Sequence, residues 1–285
     1  MEYVAERRAA VESRLATVLD GVSPAELGEG MEHVALSEGK RVRPTLTLLV
    51  YEALTGRGPD EYGTVVLDFA VGIELVHNAS LVVDDVIDRS ELRRGSPSAW
   101  AAFGHGQAIV ASDGLLGEAF RLFSADPRAT EVVADAMVEL GEGEATELVD
   151  RPSDQAEYME LARRKTGALF RAAAQLGAIA ADADPEAVEA LGEYAERVGV
   201  AFQLRDDVLD AVAAAEDLGK PTGRDADLDR PSVLQVTDRD PDAVTELAED
   251  EARRARDALD DLDLEGTAAR RHLEHLARFV VERER

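Results

Sequence analysis

Apolar residues recur at three- and four-residue intervals over residues 42–55, 64–88, 107–124, 131–149, 156–182, 186–215 and 243–260. That spacing lines one face of an α-helix. Strand-like alternation is absent over any useful length. Breaks fall at GRGPD (56–60), RRGSP (93–97), SADPR (124–128), DRPSD (150–154) and the stretch 216–231, which holds Gly219, Pro221, Gly223 and Pro231. No linker separates the periodic segments, so the pattern predicts one all-α domain over residues 1–285, with about ten helices. The charged stretch after residue 240 reads as an amphipathic helix pair with a structural role.

A chain of 285 residues can bury a sizeable core. It has no cysteine, which excludes disulfides, zinc–thiolate sites and thiol nucleophiles. No apolar run reaches the roughly 18–20 residues of a membrane span, and the opening MEYVAERRAA lacks a signal-peptide core, so a soluble cytoplasmic protein is expected. The net charge of −28 argues against a nucleic-acid partner, which needs basic surface. All but three of the 31 basic residues are arginine; the lysines are Lys40, Lys165 and Lys220. An acid-rich, lysine-poor surface suits a protein working in high salt, where charge repulsion is screened. Lysines kept in such a chain are expected where a compact ammonium charge is needed.

Acidic triads interrupt two of the apolar helices. SLVVDDVIDRSELRRG (80–95) carries Asp84, Asp85 and Asp88, and GVAFQLRDDVLDAVAAA (199–215) carries Asp206, Asp207 and Asp210 at the same spacing. Carboxylates three and four residues apart share a helical face and repel one another. With 59 acidic residues such a match can arise by chance, and ALDDLDLEG (258–266) shows the solvated version, with acids near a turn among charged neighbours. The other two triads lie among small and apolar residues, where unpartnered carboxylates are costly. Two of them facing one cavity would hold Mg²⁺, a hard cation that takes oxygen ligands and favours phosphate-bearing substrates.

The basic residues point to the same chemistry. SEGKRVRP (37–44) sets Gly39, Lys40, Arg41 and Arg43 at a helix start, where backbone amides favour a diphosphate. Arg93 and Arg94 follow the first triad, Lys165 and Thr166 lie in RRKTG, and Lys220 follows the second triad in LGKPTGRD. Each has a bland reading as a cap or surface cation; their joint placement beside acidic triads does not. His77 alone reads as a core histidine, and His33, His105, His272 and His275 have no metal spacing.

Together, EGKRVRP, ELVHNASLVVDDVIDRSELRRG, KTG, FQLRDDVLD and GKPTGRD, in that order from about residue 35 to 235, resemble the trans-isoprenyl diphosphate synthases (polyprenyl synthetases). The resemblance implies an isoprenoid-synthase-type helical bundle around a deep central cavity, usually a homodimer. It also implies head-to-tail condensation of an allylic diphosphate with isopentenyl diphosphate. Asp84, Asp85, Asp88, Asp206 and Asp210 would then bind Mg²⁺. Arg93, Lys165 and Lys220 would contact the allylic diphosphate. Gly39, Lys40, Arg43, His77 and Arg94 would serve isopentenyl diphosphate, and Thr166, Phe202 and Gln203 would line the reacting centre. Product length would be set on the first triad's helix by Ala79 and Ser80, with Val76 and Gly72 deeper; small residues there suit a product of about C20 or longer.

Four places depart from the family's pattern: Glu38-Gly39 for a glycine pair, Ser112-Asp113 for glycine-aspartate, Glu144 and Glu147 for a glutamine and an aspartate, and DRPS (229–232), with Arg230, for a late lysine element. Rival readings, a purely acidic structural domain among them, fit less well. A class I terpene cyclase would lack RDDVLD and GKRVR, and a non-catalytic partner subunit would lose aspartates that are intact here. The melting temperature should rise steeply from dilute buffer to molar KCl, and equal stability in both would refute adaptation to salt.

Overall fold

The computed structural model describes residues 2–217, 232–237, 239–262, 264 and 266–282. The chain forms α1 (Glu2–Leu19), α2 (Ala25–Ala35), α3 (Val42–Thr55), α4 (Thr64–Ile87), α5 (Ala99–Phe103), α6 (His105–Phe123) and α7 (Pro127–Val149). These are followed by α8 (Gln155–Ala162), α9 (Ala168–Ala180), α10 (Pro185–Asp217), α11 (Val233–Thr237), α12 (Pro241–Asp260) and α13 (Ala268–Glu282). The expected all-α class holds. Its one exception among the described residues is a hairpin of two-residue strands, β1 (Leu92–Arg93) and β2 (Ser96–Pro97), between α4 and α5. Two residues are too short to show alternation.

The helices gather into two compact units. One comprises Met1–Val132 and Leu176–Asp182, the other Val133–Gln175 and Ala183–Arg285, so α7 and α9 each lend residues to both. In the first unit α4 is the central element, with Phe69, Ile73, Leu75, Val76 and Ala79 all within 1% of complete burial. By length and composition this helix is apolar enough to cross a membrane, with mean hydropathy 1.6 over its 18-residue window, which corrects the expectation that no run reaches that length. Two thirds of that window is buried against its own unit, as befits a core helix.

The second unit holds the largest departure from expectation. The segment 156–182, expected as one helix, is continuously helical from Gln155 to Ala180 but widens to a π turn at Arg163–Gly167 between α8 and α9. Such one-turn expansions recur at functional sites because they re-aim side chains. Here the turn lies against α10 at glycines on both sides: a Cβ on Gly199 would lie 3.0 Å from the Gly167 Cα. Nearby, Tyr158, Ala162, Val200, Leu204, Val208, Val233, Val244 and Ala248 form an apolar cluster that joins α8, α10, α11 and α12.

A buried ionic knot ties α1 to α3. Glu52 receives Arg7 Nε and Nη2, each at 2.9 Å, and both the Tyr3 and Tyr62 hydroxyls donate to the same carboxylate. Burial and the Glu52 charge push the Tyr3 phenol up to about 12 and hold Tyr62 higher still. The Arg7 side chain is only 3% exposed. Replacing Glu52 with alanine therefore strands a buried cation and should cost about 3–5 kcal/mol in urea unfolding. A loss below ~1 kcal/mol, the worth of a surface pair, would show that the knot is solvated.

Candidate active site

The first triad occupies the last turn of α4, where the helix dipole is negative and carboxylates are least welcome. The three acids resolve that conflict differently. Asp85 is 3% exposed and takes Arg93 Nε at 3.0 Å on Oδ1 and 3.2 Å on Oδ2, while Arg93 Nη2 also donates to Oδ1. A bidentate pair of this kind uses both oxygens of the carboxylate. Asp84 and Asp88 keep part of their surface open to solvent. Behind the hairpin a cavity of about 250 Å³, lined by His33, Asn78, Leu81, Asp85, Arg93 and Arg94, opens beside the pair.

Two helical turns toward the α4 N-terminus lies a basic cluster. Arg41 is buried; its Nη1 donates to Glu74 at 2.7 Å, and its Nη2 donates to the carbonyls of Ala35 (2.8 Å) and Ser37 (2.9 Å). Arg94 Nη1 donates to the Glu38 carbonyl at 2.9 Å and lies across Gly39, where a Cβ would come within 2.6 Å of it. Any larger residue at position 39 would displace that guanidinium. Arg41 and Arg94 both adopt left-handed backbone, at φ 50° and 54°, a conformation that costs about 1 kcal/mol or more outside glycine and asparagine. Lys40 is exposed beside them. Burial, with Glu74 opposing and Arg94 assisting, pulls the Arg43 guanidinium down to about 10. For His77, burial comes first and then the charges of Arg43, Arg94, Arg93 and Arg41, and together they hold its pKa well below the usual histidine range. The charges of four arginines thus reach one imidazole, with Glu74 as the buried acid among them, and leave the local potential positive. Arg41 belongs to the basic SEGKRVRP motif, whereas its partner Glu74 has no sequence signature, because buried ion pairing leaves none.

In the second unit, the π turn carries Lys165 and Thr166. Lys165 Nζ is 2.9 Å from Glu144 and also pairs with Glu147, both on α7. Burial opposes its charge, but the two carboxylates more than offset that and raise its pKa. The two glutamates noted as departures from the family's pattern are thus the partners of the predicted diphosphate lysine. Thr166 Oγ1 donates to Gln203 Oε1 at 2.8 Å, and the Phe202 ring lies 5.9 Å from that of Phe170. On α10, Asp206 and Asp210 keep solvent exposure, whereas Asp207 is 8% exposed and fully engaged. Gln203 Nε2 donates to its Oδ1 at 3.0 Å, while Val233 N (2.9 Å) and the Tyr158 hydroxyl donate to its Oδ2. Lys220, the GKPTGRD motif and Arg230 lie outside the described residues.

The chain-length positions are packed more tightly than their small side chains suggest. Ala79 and Val76 are each 1% exposed, the Ser112 hydroxyl donates to the Ala79 carbonyl at 3.1 Å, and Ser80 stays half-buried. Gly72 does not open space either. A Cβ there would lie 2.6 Å from the Phe123 ring, which fills the room that a side chain would take.

Divalent-metal chemistry fits these donors. Each triad offers two partly exposed aspartates one turn apart, oxygen-only ligands with no histidine or cysteine among them. Among the described residues no group of three or more acids or histidines is placed to hold a metal ion by itself.

A structure of this kind is met repeatedly among prenyl-elongating enzymes. Residues 24–261 match the family model for polyprenyl synthetase, and the chain belongs to that family. It is 32% identical over 285 residues to the geranylfarnesyl diphosphate synthase of Aeropyrum pernix, covering 93% of this chain and 87% of that one. The geranylgeranyl pyrophosphate synthetase of Pyrococcus horikoshii superposes with a TM-score of 0.86 at 33% identity, covering 99% of this chain and 97% of the other. A polyprenyl synthase of Caulobacter crescentus, solved with calcium and isoprenyl diphosphate, gives 0.83 at 30% identity over 99% and 95%. The chain is accordingly an isoprenyl diphosphate synthase, a prenyltransferase.

The lowered His77 pKa has a consequence for stability. The folded protein keeps His77 neutral, whereas the unfolded chain takes up a proton near pH 6.5. The contribution of this group is complete above about pH 6.5 and declines as pH falls toward the lower folded value. A His77→Gln variant should show a flatter loss of unfolding free energy between about pH 7 and pH 5. Identical slopes in variant and parent would place the imidazole in solvent.

Proposed function

We propose that this synthase condenses isopentenyl diphosphate head-to-tail with an allylic diphosphate, with Mg²⁺ as cofactor, and releases pyrophosphate. The observation that carries the reading is the layout of α4. His77 with its ring of arginines and Asp84 at the helix end lie seven residues apart on one rigid helix, roughly 10 Å at 1.5 Å per residue. One helix thus carries a polyanion site and a metal-binding end, close enough for the organic parts of two diphosphates to meet. Asp84, Asp88, Asp206 and Asp210 are the metal ligands in this reading, and Asp85 holds Arg93 in place.

Chemically, the difficult event is breaking the allylic C–O bond, which separates a carbocation from a pyrophosphate anion. Bound Mg²⁺ would neutralise charge on the leaving group. The chain's own contribution is fixed cations: Arg93, locked by Asp85, and Lys165, held between Glu144 and Glu147, sit ready for an anion without having to reorganise. Lys40, Arg43, His77 and Arg94 hold isopentenyl diphosphate at the neighbouring site, with Lys220 assigned to the allylic diphosphate by its motif. Apolar and aromatic surroundings keep out water, which would trap the cation as an alcohol. Pyrophosphate, or a nearby carbonyl or hydroxyl, takes the final proton.

The product is about C20 or longer. The names of the Aeropyrum and Pyrococcus proteins, geranylfarnesyl and geranylgeranyl synthases, support that range. The chain works as one cytoplasmic prenyltransferase domain in a homodimer; the exposed Ile109 and Val110 on α6 offer apolar surface for such an interface. Its acid-rich surface suits a halophilic setting. Purified protein alone, given labelled isopentenyl diphosphate, several allylic primers and Mg²⁺ in high KCl, should incorporate label. No incorporation would favour a partner-subunit role. An Ala79→Phe variant should shorten the product by at least one C5 unit by mass spectrometry, since the added ring projects where the growing chain would lie. An unchanged profile would move the floor to another helix, with Phe123 the first candidate.

A further inference from the structure

We propose that Asp207 and Tyr158 are positioning residues that set the hydrogen-bond polarity of the Gln203–Thr166 pair, so that Thr166 turns a lone pair, not its proton, toward the developing allylic cation. The inference rests on the condensation reading and deepens it. The order of donors dictates the arrangement. Asp207 receives three donors: the Val233 N–H at 2.9 Å and the Tyr158 hydroxyl on Oδ2, and Gln203 Nε2 at 3.0 Å on Oδ1. An ionised carboxylate only accepts, so Gln203 must turn its NH₂ toward Asp207 and its carbonyl toward Thr166. Thr166 then spends its one proton on Gln203 Oε1, at 2.8 Å. What its hydroxyl has left is lone-pair density, which stabilises positive charge.

The network also bridges the π turn. Tyr158 comes from α8, before the Arg163–Gly167 expansion, and Thr166 lies within it, while both partners, Asp207 and Gln203, lie one turn apart on α10. Asp207 and Tyr158 are 8% and 3% exposed, so neither hydrogen bond is readily exchanged for water. The Val233 amide begins α11 and, as a backbone donor, cannot reverse its polarity. This last contact makes the inference testable.

In an Asp207→Asn variant the side-chain carbonyl must stay on the Val233 N–H, which leaves the new NH₂ facing Gln203. Gln203 then flips, donates to Thr166 and drives the threonine proton toward the cation. We expect kcat to fall about 10- to 100-fold, the usual effect of removing an outer-shell partner, with KM for both diphosphates within about twofold. Adding Gln203→Glu to that variant supplies an acceptor to both the new amide and Thr166, and should recover about tenfold in kcat. Tyr158→Phe leaves the polarity intact but loosens Asp207, so it should lower kcat only about threefold while the melting temperature stays within a few degrees. With an active parent enzyme, an unchanged kcat in Asp207→Asn, or a loss that Gln203→Glu fails to recover, overturns the inference and leaves the condensation reading standing. Should Asp207→Asn not fold, an unchanged kcat in Tyr158→Phe overturns it instead. A parent enzyme without isopentenyl incorporation overturns both.

Discussion

Crowding of like charge is the constraint on which the rest of the structure turns. Three carboxylates end α4 where its dipole is already negative, and four guanidiniums crowd a single histidine a little further back. Neither group would be stable as a bare cluster. Part of the strain is relieved internally, by Arg93 on Asp85 and by Glu74 on Arg41. In the proposed reaction, ligands of opposite sign would relieve more of it: a cation at the helix C-terminus and an anion about two turns before it. Binding such ligands would then be coupled to relief of repulsion already present in the fold, which is one way to obtain preorganised electrostatics.

Within each triad the three aspartates have separate tasks. The middle one is buried and saturated with donors: Asp85 by a guanidinium, Asp207 by a phenol, an amide side chain and a backbone N–H. The outer ones stay at the surface of the helix. The cause is helical geometry. Residues i and i+4 share a face, and residue i+1 is turned about 100° away from the first, toward whatever packs beside the helix. A DDxxD sequence on a helix that is half-buried will therefore divide its carboxylates in this way.

Much of this was legible in the sequence, and the rest was hidden for definite reasons. Residues 42–55 were read as a helix to the residue, and α4 to within one, because apolar spacing is a strong local signal. The acidic and basic motifs were found because charged residues among apolar ones are conspicuous. What escaped was tertiary. Glu74 looks like an ordinary charged residue until its burial against Arg41 is seen. Glu144 and Glu147 were read as departures from a pattern, although they face Lys165 together. Gly72 suggested open space, yet Phe123, 51 positions further along the chain, occupies it. The π turn escaped because one inserted residue barely disturbs a three- and four-residue rhythm.

That insertion has an evolutionary corollary. A helix expanded by one residue can be contracted again by losing a single codon, and the contracted form would be the more regular helix. The loss would rotate everything downstream by about 100° relative to α8. Tyr158 and Thr166 could then no longer both reach α10 on the same side. Selection against so small a deletion would be severe, while insertions or deletions of the same size in nearby exposed loops would cost far less.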